Sequence, residues 1–151
     1  MNQSSPSIDS TQAMDLARSA VAGKKLSESA LENLKRWVTE PQYAPYQPAL
    51  LKLIEDKDFQ QLDTCFWEVI PFGTGGRRGL MSELGSATIN ERTIAESAHG
   101  LAAYSKKFSG KETGKAAIAH DSRINSSHFA RIAASVLAGH GLTVYFFKTS
   151  R

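Results

Sequence analysis

The chain has 151 residues, 41% hydrophobic and 22% charged, with a net charge of +3: the profile of an ordinary globular domain or of a piece of something larger. Its basic residues are spread in pairs (Lys24-Lys25, Arg77-Arg78, Lys106-Lys107) with no recognition motif beside them, which argues against a nucleic-acid partner. A single cysteine excludes an internal disulfide framework, no apolar run is long enough for a membrane span, and the polar opening MNQSSPSIDSTQ is no secretory signal, so a cytoplasmic protein with no membrane partner is expected.

Residues 1–12 read as a disordered tail, and residues 13–67 as a helical N-terminal extension. Ser29 with Glu32 fits a capping box opening SALENLKRWVTE, whose Ala30, Leu34, Trp37 and Val38 share one helical face. Pro41, Pro45 and Pro48 break that pattern. EPQYAPYQP is therefore expected as an extended connector with its aromatic rings packed onto the domain. A helix PALLKLIEDKD starts at Pro48, and a shorter one covers DFQQLDTCF. Cys65, in an apolar setting, reads as a buried small hydrophobe.

From residue 68 the character changes. WEVIPF reads as a strand. Asn90 caps the helix NERTIAESAHGLAAYSKKF, with Ile94, Ala98, Leu101, Ala102 and Phe108 on its apolar face. KAAIAHD is a short buried strand. SSHFARIAASVLAGHG is a helix capped by Ser126 or Ser127, with Phe129, Ile132, Ala133, Val136 and Leu137 inward and Gly139 or Gly141 at its end. LTVYFF is a β-branched and aromatic strand. This order predicts an α/β fold: a mixed, mainly parallel sheet with flanking helices over residues 68–151. Ligands of such sheets gather past the carboxyl ends of strands, where FGTGGRRG and HDSR fall.

The stretch PFGTGGRRGLM holds four glycines and two adjacent arginines. Glycine-rich turns can aim consecutive N–H groups at an anion, Thr74 adds a hydroxyl, and arginine forks match phosphate oxygens. Neighbours in an extended segment point to opposite sides, so one of Arg77 and Arg78 is expected to face a ligand. The dinucleotide fingerprint fails, because Arg78 stands where its third glycine is needed; the P-loop fails for want of its Lys and Ser/Thr. His99, His120, His128 and His140 form no metal-binding spacing, so no metal site is expected. Asp121 is the candidate functional carboxylate, with an ion pair to Arg123 as the structural alternative.

IPFGTGGRRGLM, INERTIAESAHGLAAY and AIAHDSRINSSHFARIAASVLAGHGLTVYFF, in that order and spacing, resemble the opening of the α-D-phosphohexomutases, the family of phosphoglucomutases and phosphomannomutases. The helices before them resemble the N-terminal extension of the larger, phosphoglucomutase/phosphopentomutase-like branch. The family's first motif is usually Phe-Gly-Thr-Ser/Ala-Gly-Leu-Arg-Gly. Gly75 replaces the Ser or Ala and Arg77 the Leu, so the phosphate-contact role falls on Arg78, with Thr74, Gly75 and Gly76 around it. Asp121 and Arg123 match the family's strand-end Asp-x-Arg and serve as supporting residues.

The resemblance implies domain I of an isomerase that moves a phosphoryl group between the 1 and 6 (or 5) hydroxyls of a sugar. A phosphoserine donates to the sugar monophosphate, the bisphosphate reorients, and the other phosphate returns to the serine. Mg²⁺ and glucose 1,6-bisphosphate are the implied cofactors, and sugar phosphates of glucose, mannose or pentose the partners. The family's Thr-Ala-Ser-His-Asn-Pro loop and Asp-rich magnesium loop do not occur in these residues. The catalytic serine is therefore expected beyond Arg151, with no metal or bisphosphate bound by this piece alone. The alternative is a non-catalytic phosphate-binding module built on the FGTGGRRG loop; a third reading makes the loop only a turn. As a partial domain the chain should expose sheet edge and apolar helix surface, and so be marginally stable or self-associate. We expect no mutase turnover from the purified chain and a broad or concentration-dependent melting transition; turnover, or a sharp concentration-independent one for a monomer, is the contrary result.

Overall fold

A computed structural model describes residues 6–111 and 113–149. Residues 1–5 of the expected tail, and Arg151, lie outside the described residues. The chain divides after Ile89 into two compact units.

In the first unit, helix formation begins earlier than the sequence suggests. Asp9 and Gln12 form a reciprocal capping box that opens α1, Ser10–Ala22, inside the expected tail. Ala13, Met14, Ala17 and Ala20 give α1 its buried face. Helix α2, Glu28–Thr39, is capped by Ser27, whose hydroxyl accepts from the Ala30 N–H; Ser29 lies inside the helix. Its buried residues are the expected Ala30, Leu34, Trp37 and Val38.

The proline-rich connector is not extended. Pro41–Tyr46 forms a 3₁₀ turn that leads directly into α3, Gln47–Glu55. Proline tolerates the first turn of a helix, which has no use for its missing N–H. The connector's aromatics do pack inward: Tyr43 stacks on Trp37 at 4.6 Å between centroids and Tyr46 lies tilted against it at 5.3 Å, while Phe66, later in the chain, meets Trp37 edge-on at 5.3 Å. Helix α4, Phe59–Phe66, completes the bundle around Leu34, Leu50, Ile54, Leu62 and Phe66. Cys65 is buried among them, and burial pushes its thiol above the ordinary range.

WEVIPF makes no strand. Ile70 N–H donates to the Ser86 carbonyl at 2.8 Å, and the Ser86 hydroxyl donates to the Glu68 carbonyl at 2.7 Å. These single bonds satisfy the segment without a ladder. They, with the Ala87 N–H to Cys65 carbonyl bond of 2.9 Å, fasten residues 67–89 to the helices. The first compact unit runs through Ile89.

The second unit is α/β. Asn90 caps α5, Glu91–Ser109, in a box with Thr93. Strands β1, Lys115–Ile118, and β2, Thr143–Phe146, pair in parallel with Lys115 opposite Thr143 and Ile118 opposite Phe146. Between them runs α6, Ser126–Gly139. Asn125 precedes it at φ 64, so neither Ser126 nor Ser127 is its cap; Gly141, at φ 85, follows its end. Alternate strand residues Ala116, Ile118 and Val144 pack with Ala98, Ala102, Leu137 and Leu142. On α5 the buried stripe is narrower than expected: Ala98 and Ala102 are inside, whereas Leu101 and Phe108 are exposed. A small side chain every fourth residue lets a neighbouring helix approach, and larger ones then sit at the margin. Among the described residues no helix is long and apolar enough to cross a membrane.

One close approach fixes how residues 83–89 lie on α4. At Gly85, with φ +117, a Cβ would collide with the Cys65 carbonyl oxygen and stand 2.8 Å from Cys65 Cβ. Gly85→Ala is expected to cost more than about 2 kcal/mol in urea denaturation. Gly100→Ala, at a helical position with open space around it, is expected to gain about 0.5–1 kcal/mol.

Candidate functional site: the glycine–arginine turn

Gly73 and Gly76 pair with each other across a tight antiparallel turn: each N–H donates to the other's carbonyl, at 3.0 and 3.1 Å. Thr74 and Gly75 form the exposed tip. The turn needs glycine at Gly76, which sits at φ +114, a region side chains avoid. Because the Gly73 and Gly76 N–H groups hold the turn closed, Gly76 contributes shape rather than a donor.

The adjacent arginines part company, as their alternation predicts. Arg77 is half-buried, its guanidinium carbon 5.8 Å from the Phe72 ring centroid. A cation over an aromatic face is held by the ring's negative quadrupole. Arg78 is exposed, and its Nη2 lies 3.7 Å from where a Gly75 Cβ would be. Its fork therefore stands beside the tip, with five donors and no acceptor. Thr74, Gly75, Gly76 and Arg78 are thus brought together at one turn, with a single cationic fork beside its tip.

Asp121 and Arg123 are also brought together, in the second unit, where they shape the turn between β1 and α6. Arg123 Nε donates to Asp121 Oδ2 at 2.7 Å and its backbone N–H to Asp121 Oδ1 at 3.1 Å, while Asp121 N–H donates to Ser126 Oγ at 3.2 Å. This is the structural Asp–Arg link. The Ser126 hydroxyl first, then the Arg123 N–H and guanidinium, hold the Asp121 carboxyl below the usual carboxylate range.

Two further contacts join histidines far apart in sequence. His128 Nε2 lies 2.7 Å from Glu91 Oε1, linking the first turns of α6 and α5. His99 Nδ1 lies 2.8 Å from His140 Nε2. Motif spacing could not find either, because the partners are 37 and 41 residues apart. Among the described residues no group of three or more His, Cys, Asp or Glu comes together to hold a metal ion.

A glycine–arginine turn followed in sequence by helix, strand, helix and parallel strand defines an α/β protein. Residues 70–150 match the phosphoglucomutase/phosphomannomutase α/β/α domain I. That is more than half of the chain, and the chain belongs to this family. It is 29% identical over 138 residues to a phosphopentomutase of Homo sapiens, covering 85% of this chain and 22% of that protein. It is 38% identical over 95 residues to a phosphoglucomutase of Staphylococcus aureus, covering 63% of this chain and 16% of that protein. The chain thus spans less than a quarter of the length of these curated relatives. No solved structure matches it.

The geometry around Asp121 gives a pH prediction. Its carboxyl is depressed in the folded state, so it contributes stability above its unfolded value near about 3.9, lost as pH falls through the lower folded value. Asp121→Asn should make the acid limb of a stability–pH profile shallower. The wild-type carboxyl carbon should titrate below the free-aspartate range by NMR.

Proposed function

We propose that this chain is the N-terminal part of a sugar-phosphate mutase, with residues 68–151 forming part of domain I and residues 13–67 the helical extension before it. The observation that carries the reading is the turn itself. Within the region that matches the family, Arg78 stands at an exposed tip of Thr74 and Gly75, while Arg77 is engaged with Phe72. A phosphoryl group in transfer spreads negative charge over its oxygens, and fixed cations and N–H groups stabilise that charge without reorganising.

In this reading Arg78, Thr74 and Gly75 meet a phosphate, Gly76 sets the shape of the turn, and Asp121 with Arg123 support the strand end. The reaction moves a phosphoryl group between sugar hydroxyls through a phosphoserine and a bisphosphate, in the cytoplasm. The serine loop is not among these residues. Among the described residues no three His, Cys, Asp or Glu side chains come together to hold Mg²⁺. The partners are sugar phosphates. The alternative of a non-catalytic anion-binding module rests on the same turn and differs only in the absence of turnover.

The test separates the two arginines. Binding of inorganic phosphate, followed by NMR shifts of the Thr74 and Gly75 amides, should weaken about tenfold or more in Arg78→Ala, since a hydrogen bond to a charged group contributes roughly 1.5–3 kcal/mol. Arg77→Ala should change binding little. In a longer enzyme carrying the serine loop, Arg78→Ala should cost on the order of 2–4 kcal/mol in kcat/KM. Equal small effects from both variants would sink the assignment.

A further inference from the structure

His99 projects from the middle of α5, and His140 stands at the C-terminal end of α6. Their ring centroids are 4.6 Å apart with the planes at 65°, and the facing nitrogens, His99 Nδ1 and His140 Nε2, are 2.8 Å apart at the surface. Packing beneath holds them there. Ala98 and Leu137, close to the two histidines in sequence, are buried in one core with Ala102. The His140 N–H is bound to the Val136 and Leu137 carbonyls at 3.1 and 3.2 Å, which fixes the end of α6.

Two neutral imidazoles this close share one proton, one nitrogen donating and the other accepting. Neutral imidazole is also the commonest metal ligand among side chains. With metal–nitrogen bonds of about 2.0–2.1 Å, two ligands at right angles stand roughly 3.0 Å apart, while two corners of a tetrahedron stand about 3.4 Å apart. The observed 2.8 Å is near the right-angle value. Nitrogen ligands at right angles suit Cu²⁺ and Ni²⁺, which favour square-planar or tetragonal coordination.

We propose that His99 and His140 form a two-imidazole site for a tetragonal divalent transition metal, Cu²⁺ or Ni²⁺, that staples α5 to the end of α6. Each ring binds as neutral imidazole. The ring that now donates carries its proton on its other nitrogen instead, so no net proton is released. Among the described residues no third His, Cys, Asp or Glu joins the pair, and water completes the coordination. The site uses no residue of the Gly73–Gly79 turn and none of the Asp121–Arg123 pair. His128, bound to Glu91, serves as the internal control.

The experiment is calorimetric titration of the tag-free chain with NiCl₂, CuCl₂ and ZnCl₂ near neutral pH. A single Ni²⁺ should bind, with affinity lowered about tenfold or more in His99→Ala and in His140→Ala and unchanged within about twofold in His128→Ala. Cu²⁺ should bind more tightly than Ni²⁺, and Zn²⁺ less tightly than Cu²⁺. A readout on the unaltered chain guards against misfolded variants: substoichiometric Ni²⁺ should broaden the His99 and His140 imidazole resonances before those of His120 and His128. The proposal is overturned by absence of Ni²⁺ binding, by equal loss in His128→Ala, by broadening that begins at His120 or His128, or by Zn²⁺ binding as tightly as Cu²⁺.

Discussion

The contact between residues 85–87 and the end of α4 is the constraint on which the candidate site rests. The Cys65 carbonyl accepts from the Ala87 N–H, and Gly85 passes so close to Cys65 that no side chain fits. From that anchor the Ser86 carbonyl binds Ile70 and the Ser86 hydroxyl binds the Glu68 carbonyl. Residues 68–70 therefore enter the glycine–arginine turn from a fixed position, and the Ile89 N–H to Leu80 carbonyl bond of 2.8 Å fixes the way out. A loop with almost no regular structure is thus held at both ends by the helical bundle. The bundle's aromatic centre, Trp37 with Tyr43 and Phe66, places the carbonyl end of α4 that starts this chain of bonds.

What the sequence makes legible follows from the range of each interaction. The buried face of α2, the Asn90 cap of α5 and the two parallel strands rest on contacts within a turn or on simple periodicity, and all are found in place. Errors arise where two local signals compete. Ser27 and Ser29 are both good caps, and only the bond from the Ser27 N–H to Asp63 in α4, at 2.8 Å, decides between them. WEVIPF has strand composition, but its hydrogen-bond partner is an irregular segment sixteen residues on, so no ladder forms. Leu101 and Phe108 fall on the helical period of Ala98 and Ala102, yet are exposed. Of the site, the glycine turn and the different surroundings of the two arginines follow from composition and alternation. The histidine contacts do not, since they form only when α5 packs on α6.

Family membership and loop geometry bear on different questions. The match of residues 70–150 establishes ancestry. It leaves open why Arg77 stands where the family resemblance calls for an apolar side chain. The Phe72 ring offers the guanidinium a partner, its carbon 5.8 Å from the ring centroid. The substitution adds a charge beside an aromatic face.

That added charge has a kinetic meaning. Electrostatic attraction in physiological salt persists over about 8 Å, well beyond hydrogen-bond distance. In the proposed reading, Arg77, although committed to Phe72, adds a second guanidinium charge that acts on an approaching anion from a distance, while Arg78 is the one that touches it. Arrival should then depend on ionic strength more steeply than departure, a division of labour between neighbouring residues that a list of ligand contacts would miss.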